Sequence, residues 1–198
     1  VSAPLWRRGS AWPQRIVCLT EETTETLYLL GAGDRVVGVS GYTVRPKEAR
    51  RKPKVSSFLD ADFDRITALR PDLVIGFSDL QATLGAELCR RGVPVVLFNQ
   101  RSLAEVLSTL RMTGALVGLS TEADALAGRL EANLERHAQA AAALPRRPRV
   151  WFEEWGDPLI SGIRWVSELL EVCGADDVFP HTRTEQGAKG RIVTSEQV

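Results

Sequence analysis

The stretch Asp72-Leu73-Val74-Ile75-Gly76-Phe77-Ser78-Asp79 decides the reading of this chain. Its apolar run is short and unbroken, as a strand buried on both faces requires, and it ends abruptly in an aromatic and two polar residues. Four other runs share that build. Arg15-Ile16-Val17-Cys18-Leu19 runs into Thr20-Glu21-Glu22, and Arg35-Val36-Val37-Gly38-Val39 into Ser40-Gly41-Tyr42. Val93-Pro94-Val95-Val96-Leu97 ends in Phe98-Asn99-Gln100, and Val150-Trp151-Phe152 in Glu153-Glu154-Trp155. Helical patterns lie between them: one from Thr23 closing at Gly31, one over Asp62–Leu69 stopped by Arg70-Pro71, one from Leu80 to Arg91 closed by Gly92. Ser102-Leu103-Ala104-Glu105 is a capping-box signature for a helix running towards Gly118. Alternation of this kind predicts α/β architecture with parallel sheets and right-handed crossovers. The polar and aromatic clusters then gather at the carboxyl edges of the strands, where open α/β folds bind ligands.

The rhythm breaks after residue 118. Thr121 to Leu144 contains no helix stop before Pro145, and Leu126, Leu130 and Leu134 recur at helical spacing. The stretch reads either as a surface helix or as a strut joining two lobes. A second α/β unit follows Pro145-Arg146-Arg147-Pro148. It has a strand at Val150–Glu153, a helix from Ile163 to Val172, an extended piece at Asp177-Val178-Phe179, a polar loop over 181–191 and a helix N-terminus at Thr194-Ser195-Glu196. Residues 1–14 form an N-terminal extension, 15–118 a first lobe, 119–145 the connecting helix, and 146–198 a second lobe with too few strands to close a core.

Composition narrows the function classes. Basic and acidic residues balance at 25 each, so the formal net charge is zero and nothing points to nucleic acid or an anionic membrane. No apolar run approaches the ~20 residues that span a bilayer. Residues 1–14 carry Trp6-Arg7-Arg8 but no apolar core of a signal peptide, and the chain starts at Val rather than Met, which leaves a removed signal open. Cys18, Cys89 and Cys173 are odd in number and widely spaced, which fits small core or near-core residues better than disulfides or zinc. His137 and His181 have no ligand-spaced partners, so no metal site is expected.

Three kinds of side chain are candidates at the strand ends. Tyr42, Phe77 and Trp155 offer flat apolar faces to a planar or macrocyclic ligand, or else cover the top of a core; Tyr42 and Trp155 adjoin glycines and favour the binding reading, whereas Trp151 favours the core. Ser78 and Gln100 supply polar groups. Glu21 and Glu22 line the pocket or complement a helix N-terminus. With Glu153 and Glu154 they also permit an enzyme with facing carboxylates, Glu22 against Glu153, though no nucleophile elbow is present. Arg164 sits in the first turn of a helix, where its charge opposes the dipole, and so pairs with a carboxylate or stays solvated. Gly31-Ala32-Gly33 is not a nucleotide loop, because it follows a helix and opens a strand.

The ordered series Arg15–Glu25, Leu27–Tyr42, Arg70–Phe77, Gly92–Val96 and Leu169–Phe179 resembles the substrate-binding proteins of ABC importers for vitamin B12, haem and iron-siderophores. The resemblance implies two α/β lobes joined by one long helix, no chemistry of its own, no intrinsic cofactor and a bound metal chelate such as cobalamin. It places Tyr42 and Phe77 opposite aromatic ligand contacts of the first lobe and Trp155 near one of the second. Glu196 matches a glutamate that docks on arginines of the membrane permease. Asp79 is the first-lobe docking candidate, with Thr83 opposite that position in the alignment. Two departures stand out: Glu21 replaces a proline common after the first strand, and the second lobe lacks the strands that follow Glu196 in the family. The resemblance implies a periplasmic or extracytoplasmic setting. A cytoplasmic relative, or a sensor or interaction module of the same fold, is the alternative. The oligomeric state is left open.

Overall fold

The computed structural model describes residues 11–198, so the Trp6-Arg7-Arg8 part of the N-terminal extension lies outside the described residues. These residues divide into two compact units, one of 11–100 with 109–124 and one of 101–108 with 125–198.

The first unit is an α/β sheet. Its strands are β1 (Ile16–Cys18), β2 (Val36–Ser40), β3 (Lys54–Ser56), β4 (Leu73–Phe77) and β5 (Val95–Phe98). They lie in the order β3-β2-β1-β4-β5, and every pairing is parallel. Helices α1 (Glu21–Leu29), α2 (Phe63–Ala68) and α3 (Ala82–Arg90) make crossovers, and α4 (Leu103–Leu116) follows β5. The period of two along β1 divides its side chains between two cores. Ile16 and Cys18 pack with Leu27, Val36, Ile75 and Val117 on one face. Val17 and Leu19 pack with Val55, Ile66, Val74 and Leu88 on the other. A strand that must be apolar on both faces leaves its polar residues only at its ends, which is why the tips carry them.

Local signals behave as their chemistry dictates. Gly31 closes α1 at φ +83°, the left-handed region that suits a residue without Cβ. Asp62 caps α2 by accepting from the Arg65 N–H at 2.9 Å. At the start of α4 the Ser102 Oγ accepts from the Glu105 N–H, and the Glu105 carboxylate accepts from the Arg101 and Ser102 N–H groups. Those backbone donors hold the Glu105 carboxyl below its ordinary value. At the amino edge of the sheet the Asp72 carboxylate accepts from the N–H groups of Gln14 and Arg15 at 2.8 Å each, and the Asp72 N–H donates back to the Arg15 carbonyl. The Arg15 guanidinium also donates to the Leu69 carbonyl.

Helix α5 (Ser120–Ala142) has 23 residues, about 35 Å at 1.5 Å per residue. Residues 120–124 belong to the first unit and the remainder to the second. Burial fades along its apolar line: Leu126 is buried, Leu130 exposed.

The second unit departs in detail from expectation. The single strand expected at Val150–Glu153 is two pieces, β6 (Arg149–Val150) and β7 (Glu153–Gly156). A strand persists only where it has a partner, and β6 pairs in parallel with β9 (Asp176–Asp177) over just two residues. Beyond that, β7 turns back through Asp157-Pro158 to pair antiparallel with β8 (Leu159–Ser161). Glu153, Glu154 and Trp155 therefore lie within a hairpin strand and not beyond the end of a parallel one. Helix α6 (Arg164–Val172) follows β8. The loop expected over 181–191 contains two short 3-10 turns that bury Thr182 and Arg191. The helix start expected at Thr194 is a turn, closed by the Gln197 N–H on the Thr194 carbonyl. Of the cysteines, Cys18 is buried, but Cys89 and Cys173 are exposed. Leu88 takes the core-facing position of α3, which turns its neighbour Cys89 outward.

Candidate ligand-binding edge

Parallel strands bring the tips of the first unit to a single edge: Leu19-Thr20, Ser40-Gly41, Ser56-Ser57, Phe77-Ser78 and Phe98-Asn99. The chain builds outward from β1 through β2 to β3, then returns to build β4 and β5 on the other side of β1. The topological switch point therefore lies between the tips of β1 and β4, where a crevice opens in such sheets.

On the β1 side, Thr20 is 1% exposed. Its hydroxyl donates to Glu22 Oε1 at 2.6 Å, and its carbonyl accepts from the hydroxyls of Thr23 and Thr24. Burial raises the Glu22 carboxyl above its ordinary value, and the Thr20 hydrogen bond partly opposes it. Glu21 and Glu22 form the acidic first turn of α1, whose Thr20 N-cap makes no side-chain cap. Beneath them burial pushes the Cys18 thiol up to about 12, which keeps it protonated and inert as a nucleophile.

On the β4 side the fully buried Gln81 organises the edge. Its Oε1 accepts from the Phe77 N–H at 3.1 Å, and its Nε2 donates to the Phe58 carbonyl at 2.9 Å. The β4 tip is thereby tied to the loop that follows β3. A Cβ on Gly76 would meet Gln81 Oε1 at 2.4 Å, so the glycine makes room for this bridge. Ser78 is 2% exposed with φ +72° and ψ 162°, a region almost reserved for glycine. Its N–H donates to the Phe98 carbonyl and its Oγ accepts from the Leu80 N–H. These bonds hold a backbone that a serine would otherwise leave.

The structure thus brings Glu21, Glu22, Tyr42, Phe77, Ser78, Gln100 and Asp79 to the edge of one unit. Tyr42 is 62% exposed beyond β2, and Phe77 is half-buried at the β4 tip. Gln100 is buried past β5, and its Oε1 has no hydrogen-bond partner among the described residues. Asp79 is exposed at the start of the 3-10 turn Asp79–Gln81. Sequence reasoning missed two more: Leu59 and Leu80 are 64% and 59% exposed, on the very loops that Gln81 joins. Their signal was a large apolar residue inside an otherwise polar turn.

The other candidates lie on the second unit. Trp155, on β7, is 63% exposed, and its Nε1 donates to the Asp157 carbonyl. Arg164 pairs with Glu168 one turn along α6 at 2.7 Å, while the other Glu168 oxygen accepts from the Leu103 N–H. Glu153 is exposed, and Glu154 is engaged by the buried Arg191, which also donates to the Ser161 carbonyl. Glu196 lies in the last turn, its carboxyl held below the ordinary value first by the Thr194 side chain. Among the described residues no cluster of His, Cys, Asp and Glu is arranged to hold a metal ion, and no helix is long and apolar enough to cross a membrane.

An all-parallel sheet with a switch point and exposed aromatic and aliphatic residues at its tips has the build in which open α/β folds bind ligands. The chain belongs to the periplasmic binding protein family, whose sequence profile matches residues 16–192. It is 27% identical over 177 residues to the vitamin B12-binding protein of Pectobacterium carotovorum subsp. carotovorum, covering 85% of this chain and 63% of that protein. The chain thus spans less than two thirds of the length of that relative. Among solved structures, a possible iron-binding (periplasmic solute-binding) protein from Staphylococcus epidermidis superposes with a TM-score of 0.77 at 23% identity, over 93% of this chain and 72% of that one. The periplasmic vitamin B12-binding protein BtuF of Vibrio cholerae gives 0.72 at 23%, over 84% and 66%. These two likenesses show the fold.

Proposed function

We propose that this chain is the solute-binding component of an ABC importer, holding cobalamin or a related metal chelate such as haem or an iron-siderophore. The observation that carries the reading is the carboxyl edge of the first unit. Tyr42, Leu59 and Leu80 stand there more than half exposed around the switch point, in a chain of the periplasmic binding protein family. Exposed large apolar groups gathered on one edge supply contact area to a bulky ligand, and Glu21, Ser78 and Gln100 are the candidates for the few polar groups that orient it. In this reading residues 15–118 carry the main grip, 119–145 the connection and 146–198 a second lobe contributing Trp155 and Arg164. Asp79 and Glu196 are the acidic groups offered to a permease, and the setting is extracytoplasmic. The protein works as a carrier with no resident cofactor and turns nothing over. Its relatives are named as binding proteins, which favours this over facing carboxylates.

Equilibrium dialysis of the chain against cyanocobalamin, haemin and ferric siderophores, read by visible absorbance, tests the reading. Saturable one-to-one uptake of one of them supports it. Uptake of none, by chain shown to be folded, ends it.

A further inference from the structure

Zero net charge hides a local excess. The loop between β2 and β3 carries Arg45, Lys47, Arg50, Arg51 and Lys52 within eight residues, against one acid, Glu48. Its turn Lys47–Arg51 is a 3-10 helix anchored by the fully buried Ala49, whose N–H donates to the Pro46 carbonyl and whose carbonyl accepts from the Lys52 N–H. Arg50 Nε donates to the Val44 carbonyl at 2.7 Å and fastens the turn to the end of the loop nearest β2. With Ala49 turned inward, Lys47, Arg50 and Arg51 are exposed and Lys52 is half-buried. Arg45 pairs with Glu25 at 3.1 Å. Among the described residues Lys47, Arg51 and Lys52 make no ion pair. The five residues of the turn span about 10 Å at ~2 Å each, so its cations stand within about one Debye length and act together. A second feature adjoins the charge. Leu29, the last residue of α1, is 61% exposed, and with Tyr28 and Pro46 it lines an open groove that Arg45, Glu25 and Glu48 border.

We infer that this loop rests on an anionic phospholipid surface, its cations on the headgroup phosphates and Leu29 in the apolar boundary beneath them. A protein partner with a shaped acidic site would call for polar groups set to match it. Cations strung along one turn beside a bare aliphatic side chain ask only for a plane of negative charge over an apolar layer. Each cation brought to such a surface strengthens attachment roughly fivefold. Glu48 and Glu25 subtract from that and leave a net excess of three. The attachment is peripheral and reversible, held by charge and one shallow apolar contact. It goes beyond the carrier function proposed above and does not rest on it. For a carrier of that kind it supplies a reason to stay near the bilayer that holds the permease.

Flotation of the whole chain with sized vesicles tests it, comparing phosphatidylcholine alone with a mixture of phosphatidylcholine and phosphatidylglycerol. Wild type is expected to bind the mixed vesicles about fiftyfold more tightly than the neutral ones at low ionic strength. Salt at about 0.5 M should remove most of that difference. Combining Lys47→Ala, Arg51→Ala and Lys52→Ala should weaken binding to the mixed vesicles by roughly thirtyfold or more. Leu29→Ser should weaken it severalfold at any salt concentration. Circular dichroism confirms that the variants fold. Equal binding of wild type to the two kinds of vesicle overturns the inference. So does unchanged binding by the triple variant or by Leu29→Ser. Capture of soluble polyglutamate without uptake by the mixed vesicles overturns it in favour of an acidic protein partner. The vesicle measurement involves no chelate, so this inference and the carrier function fail separately.

Discussion

The side-chain amide of Gln81 donates to the Phe58 carbonyl at 2.9 Å, joining the tip of β4 to the loop beyond β3. Its other atom takes the Phe77 N–H, so one buried side chain fixes two neighbouring tips of the candidate site. Gln81→Leu keeps the volume but strands the Phe58 carbonyl and removes an acceptor from Phe77. The expected loss is about 2–4 kcal/mol, since a buried group left unsatisfied costs roughly 1–3 kcal/mol. A lowered urea midpoint at unchanged slope checks it, and Gly76→Ala should act in the same direction by displacing Gln81 Oε1.

Ser78 makes the opposite prediction. A residue held in its backbone region carries roughly 1–3 kcal/mol of strain. Losing the Oγ bond to the Leu80 N–H on going to glycine costs only a few tenths of a kcal/mol. Strain relief wins, and Ser78→Gly should stabilise the chain by about 1 kcal/mol. Ser78→Val, β-branched at the same backbone angles, should destabilise it. Thermal melts of the three proteins should rank glycine above serine above valine.

Glu22 gives a pH signature. Its carboxyl is raised in the folded chain above the ordinary 4.5, mainly by burial. Between those values the folded state binds more protons than the unfolded one, so raising the pH removes stability. Glu22→Gln cannot titrate and should flatten that part of the profile. Urea midpoints followed from the ordinary carboxylate range to neutrality test the sign; a wild-type profile in which this contribution climbs with pH contradicts it.

Tyr42→Ala and Trp155→Ala should weaken chelate uptake severalfold while leaving stability within about 0.5 kcal/mol of wild type, because both side chains are more than 60% exposed. Dialysis and melting temperature separate the two effects. Unchanged uptake in both variants removes them from the site.

In the second unit Arg191 is 3% exposed and faces Glu154. Glu154→Leu leaves a buried cation with only the Ser161 carbonyl and should cost about 3–5 kcal/mol. Replacing both, as Glu154→Leu with Arg191→Met, should recover much of that loss, since no charge then stays buried alone. A double-mutant cycle in urea measures the coupling.

The central strands of the first unit were legible because each is governed by one requirement. Ile16, Val17, Cys18 and Leu19 must all be apolar when both faces of β1 are covered, so Thr20 marks the tip without ambiguity. The capping box at Ser102 and Glu105 was legible for the same reason, since its two bonds span three residues. The second unit obeys partners distant in sequence. Nothing in Val150-Trp151-Phe152 says that β9 ends after two residues or that Arg191 waits for Glu154. Leu59 went unread because an apolar side chain in a turn is ordinarily taken as core, and Leu80 because the pattern makes it the first residue of a helix that in fact starts at Ala82; only the fold shows these two left outside. The strain at Ser78 has no sequence signal at all, because the residue that would announce it is glycine.

The clamp between Asp72 and the N–H groups of Gln14 and Arg15 lies at the start of β1, across the full height of the sheet from Thr20. Chemical coupling through surface carboxylates reaches both ends of that sheet: it can consume Glu21 and Asp79 at the candidate ligand edge and Asp72 of the clamp at the other. A sensor-chip measurement of binding is therefore better served by attachment through other groups.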